Sequence, residues 1–273
     1  MRVQINKAGA GWQWVKLGMR TFLRQPLAMS GLFFMFMALV SVLSIVPLLG
    51  TAVAVALVPA ATLGLMAATR EAEQGRFPMP SLLLTAFRGG SARTRQMLVL
   101  GALYAAGLFL VMGIAALFAA DAPAAAPIAD GTEVTAEAVG AAIGRPGMGV
   151  ALLAYLPVLM AFWHAPALVF WHGVSPVKSL FFSLIACWNN KGALLLFGLG
   201  WAGVFIITGL LLGVLGSIVG GPQVMQIVVY PIVLFMASMF HTSLWFTFRD
   251  SFRFDEAGEA SAPPAAPSDD GFA

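Results

Sequence analysis

Charge is what this chain has least of. Only 10% of its 273 residues are charged, 60% are hydrophobic, and the mean hydropathy is +0.89. A soluble domain carries roughly 45–50% apolar and about 25% charged residues. So little polar surface cannot keep a folded chain in water, which excludes one or two soluble domains and makes lipid the solvent. Cysteine is nearly absent too. Cys187 stands alone, so no internal disulfide forms and no C-x-x-C pair exists for metal or redox work. The soluble-type catalytic signatures are also missing: there is no G-x-S-x-G, no phosphate loop, no glycine-rich dinucleotide turn and no Cys/His cluster. These absences imply no cofactor, no resident metal and no enzyme.

What is present is apolar sequence in long runs. A span needs about 20 apolar residues to cross roughly 30 Å of hydrocarbon. Leu27–Val46, Leu48–Ala68, Met97–Ala120, Met148–Phe170, Ala193–Val219 and Val224–Phe246 all qualify, and none contains Asp, Glu, Lys or Arg. The expected fold is therefore all-α, with six transmembrane helices. Pro47 and Gly50 punctuate the boundary between the first two runs, which argues for a tight hairpin over one long helix. The first run begins only at Leu27 and reaches spanning length, so it reads as a span and not as a cleavable leader.

The sparse basic residues orient the spans. Arg2, Lys7, Lys16, Arg20 and Arg24 precede the first span, and Arg70, Arg76, Arg88, Arg93 and Arg95 lie between the second and third. Lys178 and Lys191 separate the fourth and fifth, and Arg249 and Arg253 follow the sixth. With six spans these segments share one side, leaving Arg145 alone on the other. Basic loops stay in the cytoplasm, so both termini are expected there, in a bacterial inner membrane. Trp171, Trp188 and Trp245 fall near the same ends, where amphipathic rings prefer the headgroup level. The net charge of +3 is thus a topology signal; it implies membrane lipids as partners and no nucleic acid.

The spans group as three hairpins, each led in by a short segment on the cytoplasmic side. In 1–26 the residues Trp12, Val15, Met19 and Phe22 recur at helical spacing, with Lys16, Arg20 and Arg24 stacked on another face. That pattern suits a helix lying flat at the membrane surface, its basic residues facing lipid headgroups. Ser81–Arg88 precedes the second hairpin. Ser175–Lys191 precedes the third, with Val177, Leu180, Phe181, Leu184 and Trp188 on one face. Returning spans carry interior prolines: Pro59, Pro157 and Pro166, and Pro231. The six-span domain thus covers 27–254, and the Ala- and Pro-rich acidic tail of 255–273 reads as disordered. The outward connection near 121–147 reads as a solvated linker, with a short helix expected around Thr132–Ile143.

Gly11-Trp12-Gln13-Trp14, Phe22-Leu23-Arg24-Gln25-Pro26-Leu27, Ala165-Pro166-Ala167-Leu168-Val169 and Trp171-His172-Gly173-Val174 resemble a family of six-span polytopic inner-membrane proteins of proteobacteria. The resemblance implies a location and a fold over most of the chain. It brings no activity with it.

Ionisable residues inside spans are the usual functional pointers, and here only histidines qualify. His164 in span four and His241 in span six lie at similar depth and face each other in the simplest arrangement, where an imidazole pair binds a metal or lines a polar path. No H-x-x-x-H spacing supports a metal, so helix–helix packing is the first expectation. With Tyr155, Tyr230 and Gln226, these histidines make up the candidate intramembrane polar site. Gly209 and Gly213 in span five suit close packing within the monomer, with a homo-oligomer face as the alternative. Two functions remain. The leading one is a non-enzymatic accessory, scaffold or envelope component. The other is a transporter or channel-like protein for a neutral or lipidic molecule, with proline-broken spans along its path.

Overall fold

The computed structural model describes residues 1–118, 144, 147–219 and 222–253, with the side chains of 219 and 222–226 excepted. The connection around Thr132–Ile143, the tail of 255–273 and the Gln226 side chain lie outside the described residues. Six helices are long and apolar enough to span a membrane. They are α2 (Pro26–Leu43), α3 (Leu49–Glu73), α4 (Ser91–Phe118), the pair α5 (Met148–Trp163) and α6 (Ala165–His172), α8 (Lys191–Val219) and α9 (Pro222–Ser251). Three shorter elements lead in the hairpins: α1 (Ala10–Arg24), a 3₁₀ helix (Pro80–Phe87) and α7 (Pro176–Asn189). Proline, pre-set for a first helical turn, opens α2, the 3₁₀ helix and α7. The first hairpin turns where expected, with Leu48 alone among the described non-glycine residues at positive φ (59°). Two-residue strands β1 (Arg2–Val3) and β2 (Phe252–Arg253) pair antiparallel.

The lead-ins knit the hairpins together. The 3₁₀ helix of the second hairpin packs on α3, the returning span of the first, and α7 of the third packs on α5 of the second. α1 of the first packs on α9, the returning span of the third, and on α8 beside it. The three units therefore close head to tail. Several seams are tight enough to exclude any side chain, two of them at Gly18 and Gly64. A Cβ on Gly18 would meet the Ser243 backbone of α9, and one on Gly64 would meet the Leu83 Cα at 2.8 Å. Small residues let helix backbones approach where lipid removes the hydrophobic drive to associate.

The core lies toward the end of the bundle where β1 and β2 pair. It gathers Trp14, Phe197, Trp201 and Phe246 in one cluster, Phe22, Met29 and Leu32 in a second, and Leu63, Met97 and Leu100 in a third. The other halves of the spans present Leu210, Leu211, Ile218 and Val233 outward.

Three features differ from expectation, and the structure gives the orientation of α7, which the sequence left open. The buried stripe of α1 is Gly11, Trp14, Val15, Gly18, Thr21 and Phe22, and protein covers it; Trp12 is 44% exposed. The residue facing the core is the one that shares a helical face with Gly18, and the glycine decides which face can approach. In α7 the bulky stripe points outward, with Phe181 at 59% and Trp188 at 63% exposed, and the small residues Ser179, Ser183, Ala186 and Cys187 face the core. Span four is two helices broken at His164. Finally, a Cβ on Gly209 or Gly213 would meet no atom of the described residues within 4 Å, so among these residues neither glycine makes a close helix–helix contact.

Candidate functional site

The break in span four sets the site's geometry. In an unbroken helix the His164 N–H would bond to the Met160 carbonyl. Here the Ser183 hydroxyl from α7 is spliced between them. It accepts from the His164 N–H at 2.9 Å and donates to the Met160 oxygen at 2.7 Å. The Cys187 thiol adds a weak contact to the same oxygen at 3.5 Å. A side chain inserted into the helical ladder is a recognised cause of a sharp kink, and Pro166 just beyond it lacks an N–H to resume the ladder. Burial raises the Cys187 thiol to a pKa of about 12, the hydrogen bond with Ser183 acting the other way.

Above this kink four spans surround a cavity of about 220 Å³. Pro59 and Thr62 come from α3, Tyr104 from α4, Tyr155, Phe162 and Trp163 from α5, and Phe240 and His241 from α9. The Tyr104 and Tyr155 hydroxyl oxygens lie 3.4 Å apart. The Thr62 hydroxyl donates to the Val58 carbonyl one turn back, at 2.9 Å. The His241 Nδ1 is 2.9 Å from the Ala237 carbonyl, also one turn back. A carbonyl oxygen only accepts, so Nδ1 carries the proton and Nε2 is left as an acceptor. The ring is held against Phe33 at 5.0 Å and Phe240 at 5.7 Å between centroids.

Of the residues the sequence singled out, the structure brings Tyr155 and His241 together. His164 is not among the residues lining the cavity. It is fully buried, its ring lies 5.4 Å from Phe252 and 6.0 Å from Phe248, and its Nδ1 has no hydrogen-bond partner. The two histidines therefore do not face each other, because the kink turns His164 toward α7 and the end of α9. Tyr230 is 74% exposed and outside the cavity. Tyr104 and Thr62 were missed, although a tyrosine inside an apolar run is the same signal that marked Tyr155. His172 contacts the Phe248 ring at 6.0 Å. Among the described residues no group of three or more His, Cys, Asp or Glu is placed to hold a metal.

Charged side chains gather instead at the end where β1 and β2 pair. Glu73 accepts from Trp245 Nε1 at 2.7 Å and Arg249 Nη1 at 2.5 Å, and its carbonyl accepts from Arg24 at 3.0 Å. Asp250 accepts from Trp14 Nε1 at 2.9 Å. The Asn6 N–H donates to Asn190 Oδ1 at 2.7 Å, and Asn190 Nδ2 donates to the Gln4 carbonyl at 2.9 Å. Arg93 donates to the Phe170 carbonyl at 2.7 Å. Arg24 of the basic lead-in is thus bonded within the protein, whereas Lys16 and Arg20 are exposed, Lys16 lying over the Trp12 ring.

Six apolar spans in an all-helical bundle, with ionised groups confined to helix ends and connections, define a multi-pass membrane protein. The chain belongs to one family with a probable inner membrane protein of Burkholderia thailandensis, to which it is 35% identical over 269 residues, 94% of this chain and 96% of that one. No family model and no solved structure matches it.

Proposed function

We propose that the protein is a non-enzymatic binding or transport protein of the inner membrane, and that the cavity between spans two, three, four and six is its working site. The observation that carries this reading is the convergence of Thr62, Tyr104, Tyr155 and His241, from four different spans, on one cavity. Polar side chains are costly in hydrocarbon and tend to line pathways or sites. The absence of Asp, Glu, Lys and Arg from the cavity wall favours a neutral molecule over a coupled ion. The non-enzymatic part is supported by separation among the described residues: the His164 ring lies on Phe252, the His241 ring on Phe33 and the Cys187 thiol on the Met160 carbonyl, so neither histidine ring is paired with that thiol.

Both termini face the cytoplasm in this reading. The pairing of β1 with β2 supports a shared side, and the basic segments support the cytoplasmic one. An alkaline phosphatase fused after Arg253 is expected to be inactive, and a fluorescent protein there to be bright.

The test of the site is extraction of small molecules from purified protein, comparing wild type with Thr62→Phe, which fills the cavity. A neutral compound present in wild type and absent from the variant supports the reading. The same extract from both sinks it and favours the scaffold alternative, for which the interlocked network around Glu73, Asn190 and Asp250 is the supporting observation.

A further inference from the structure

We propose that the cavity selects small neutral molecules carrying a hydroxyl group, an inference that rests on reading the cavity as a binding site. The donors and acceptors left over around the cavity carry it. His241 Nδ1 is occupied by the Ala237 carbonyl, which leaves Nε2 as a lone-pair acceptor. The Thr62 proton is spent on the Val58 carbonyl, so that oxygen also offers only lone pairs. Between them, Tyr104 and Tyr155 hold two hydroxyl protons. At 3.4 Å their mutual contact is longer than the roughly 2.5–3.0 Å of a good O–H···O bond. At least one tyrosine proton is therefore free for a third oxygen. The unsatisfied set holds two acceptors, His241 Nε2 and the Thr62 oxygen, and at least one tyrosine donor, and a hydroxyl supplies a complementary donor and acceptor in a single group. A ketone or ether would leave His241 Nε2 unpaired, and a protonated amine has no lone pair to accept the tyrosine proton.

The remainder of the wall selects the body of the ligand. Phe162, Trp163, Phe240 and Leu159 present apolar and aromatic surface, and no ionised side chain lines the cavity to compensate a ligand charge. Its 220 Å³ lies below the ~300–1,000 Å³ typical of drug-sized sites, so the ligand, or the part of it that enters, is small.

The experiment uses the full chain in lipid nanodiscs with two probes of similar shape, 4-fluorophenol and 4-fluorotoluene. Binding is followed by the fluorescence change that Trp163→Phe abolishes, which removes the contribution of partition into lipid. The expected result is binding of the phenol at least about tenfold tighter than the toluene. In His241→Phe and Tyr155→Phe the ratio falls to near one. Should either variant lose its monodisperse elution, Tyr104→Phe takes its place. Equal affinities in wild type overturn the hydroxyl preference and leave the binding reading standing. A phenol preference that survives all three substitutions puts the hydroxyl elsewhere and overturns the assignment. No Trp163-dependent signal with either probe at saturation overturns the binding reading itself.

Discussion

Replacing Ser183 with alanine removes one oxygen, yet it disturbs two backbone groups. The Ser183 hydroxyl accepts from His164 N–H and donates to Met160 C=O, and Ser183 itself is fully buried. An ordinary side-chain hydrogen bond between membrane helices is worth on average about 0.6 kcal/mol. A buried backbone group left unsatisfied costs about 1–3 kcal/mol. The Met160 carbonyl keeps the weak Cys187 contact at 3.5 Å, so the amide bears most of the loss. The ladder cannot easily heal, because a straight helix would drive the Pro166 ring against the carbonyl one turn back. The expected cost is therefore about 2–3 kcal/mol, several times that of a simple interhelical bond. Ser179→Ala is the control. Ser179 is equally buried, but its hydroxyl serves only the Pro176 carbonyl on its own helix, at 2.6 Å, and its loss should cost about 1 kcal/mol or less. Unfolding by SDS in mixed micelles measures both, and hydrogen exchange at the His164 amide should quicken in Ser183→Ala alone. A Ser183→Ala protein within about 0.5 kcal/mol of wild type, with an unchanged amide, would refute the spliced-ladder account.

Other consequences are checked more simply. Cys187, held protonated up to a pKa of about 12, presents almost no thiolate at pH 8; maleimide should label it only in unfolded protein, and fast labelling in the folded state would contradict its burial. Gly18→Ala should destabilise by about 1–3 kcal/mol because the new Cβ meets the Ser243 Cα at 2.8 Å, whereas Gly209→Ala and Gly213→Ala, with nothing within 4 Å, should leave the unfolding midpoint of the monomer unchanged. Glu73→Gln keeps an acceptor for Trp245 but loses the charge facing Arg249. With both side chains about a third exposed, the loss should stay near or below 1 kcal/mol and shrink in high salt; a cost that salt leaves untouched would refute the electrostatic account.

The spans were legible because the bilayer imposes a length that any apolar run must meet, and the first turn was legible from Pro47 and Gly50. What escaped was rotation about helix axes. A uniformly apolar span has no polar face to mark its inward side, so nothing in the spacing told which way His164 would turn. The inward face of α1 was misread for a related reason. In α1 and α7 the inward face follows Gly18 or Ser183, small residues that admit a neighbour, and not the largest apolar side chains. The kink at His164 depends on Ser183, a residue of another helix. The strap that joins Arg2–Val3 to Phe252–Arg253 pairs opposite ends of the chain. Tyr104 and Tyr155 were both visible as hydroxyls within apolar runs, and only the fold brings them beside Thr62 and His241.

The packing of α1 on α9 imposes an order on biogenesis. The ribosome makes α1 first and α9 last, so Gly18 must wait through five insertions before the Ser243 surface it packs against exists. Until then the nascent protein carries an incompletely covered helix, open to an insertase or a protease. A chain arrested before Pro222 could never bury it, and the cell would have a marker of incompleteness at the opposite end from the break. Docking of α1 is thus the last step of assembly, although it concerns the first helix made.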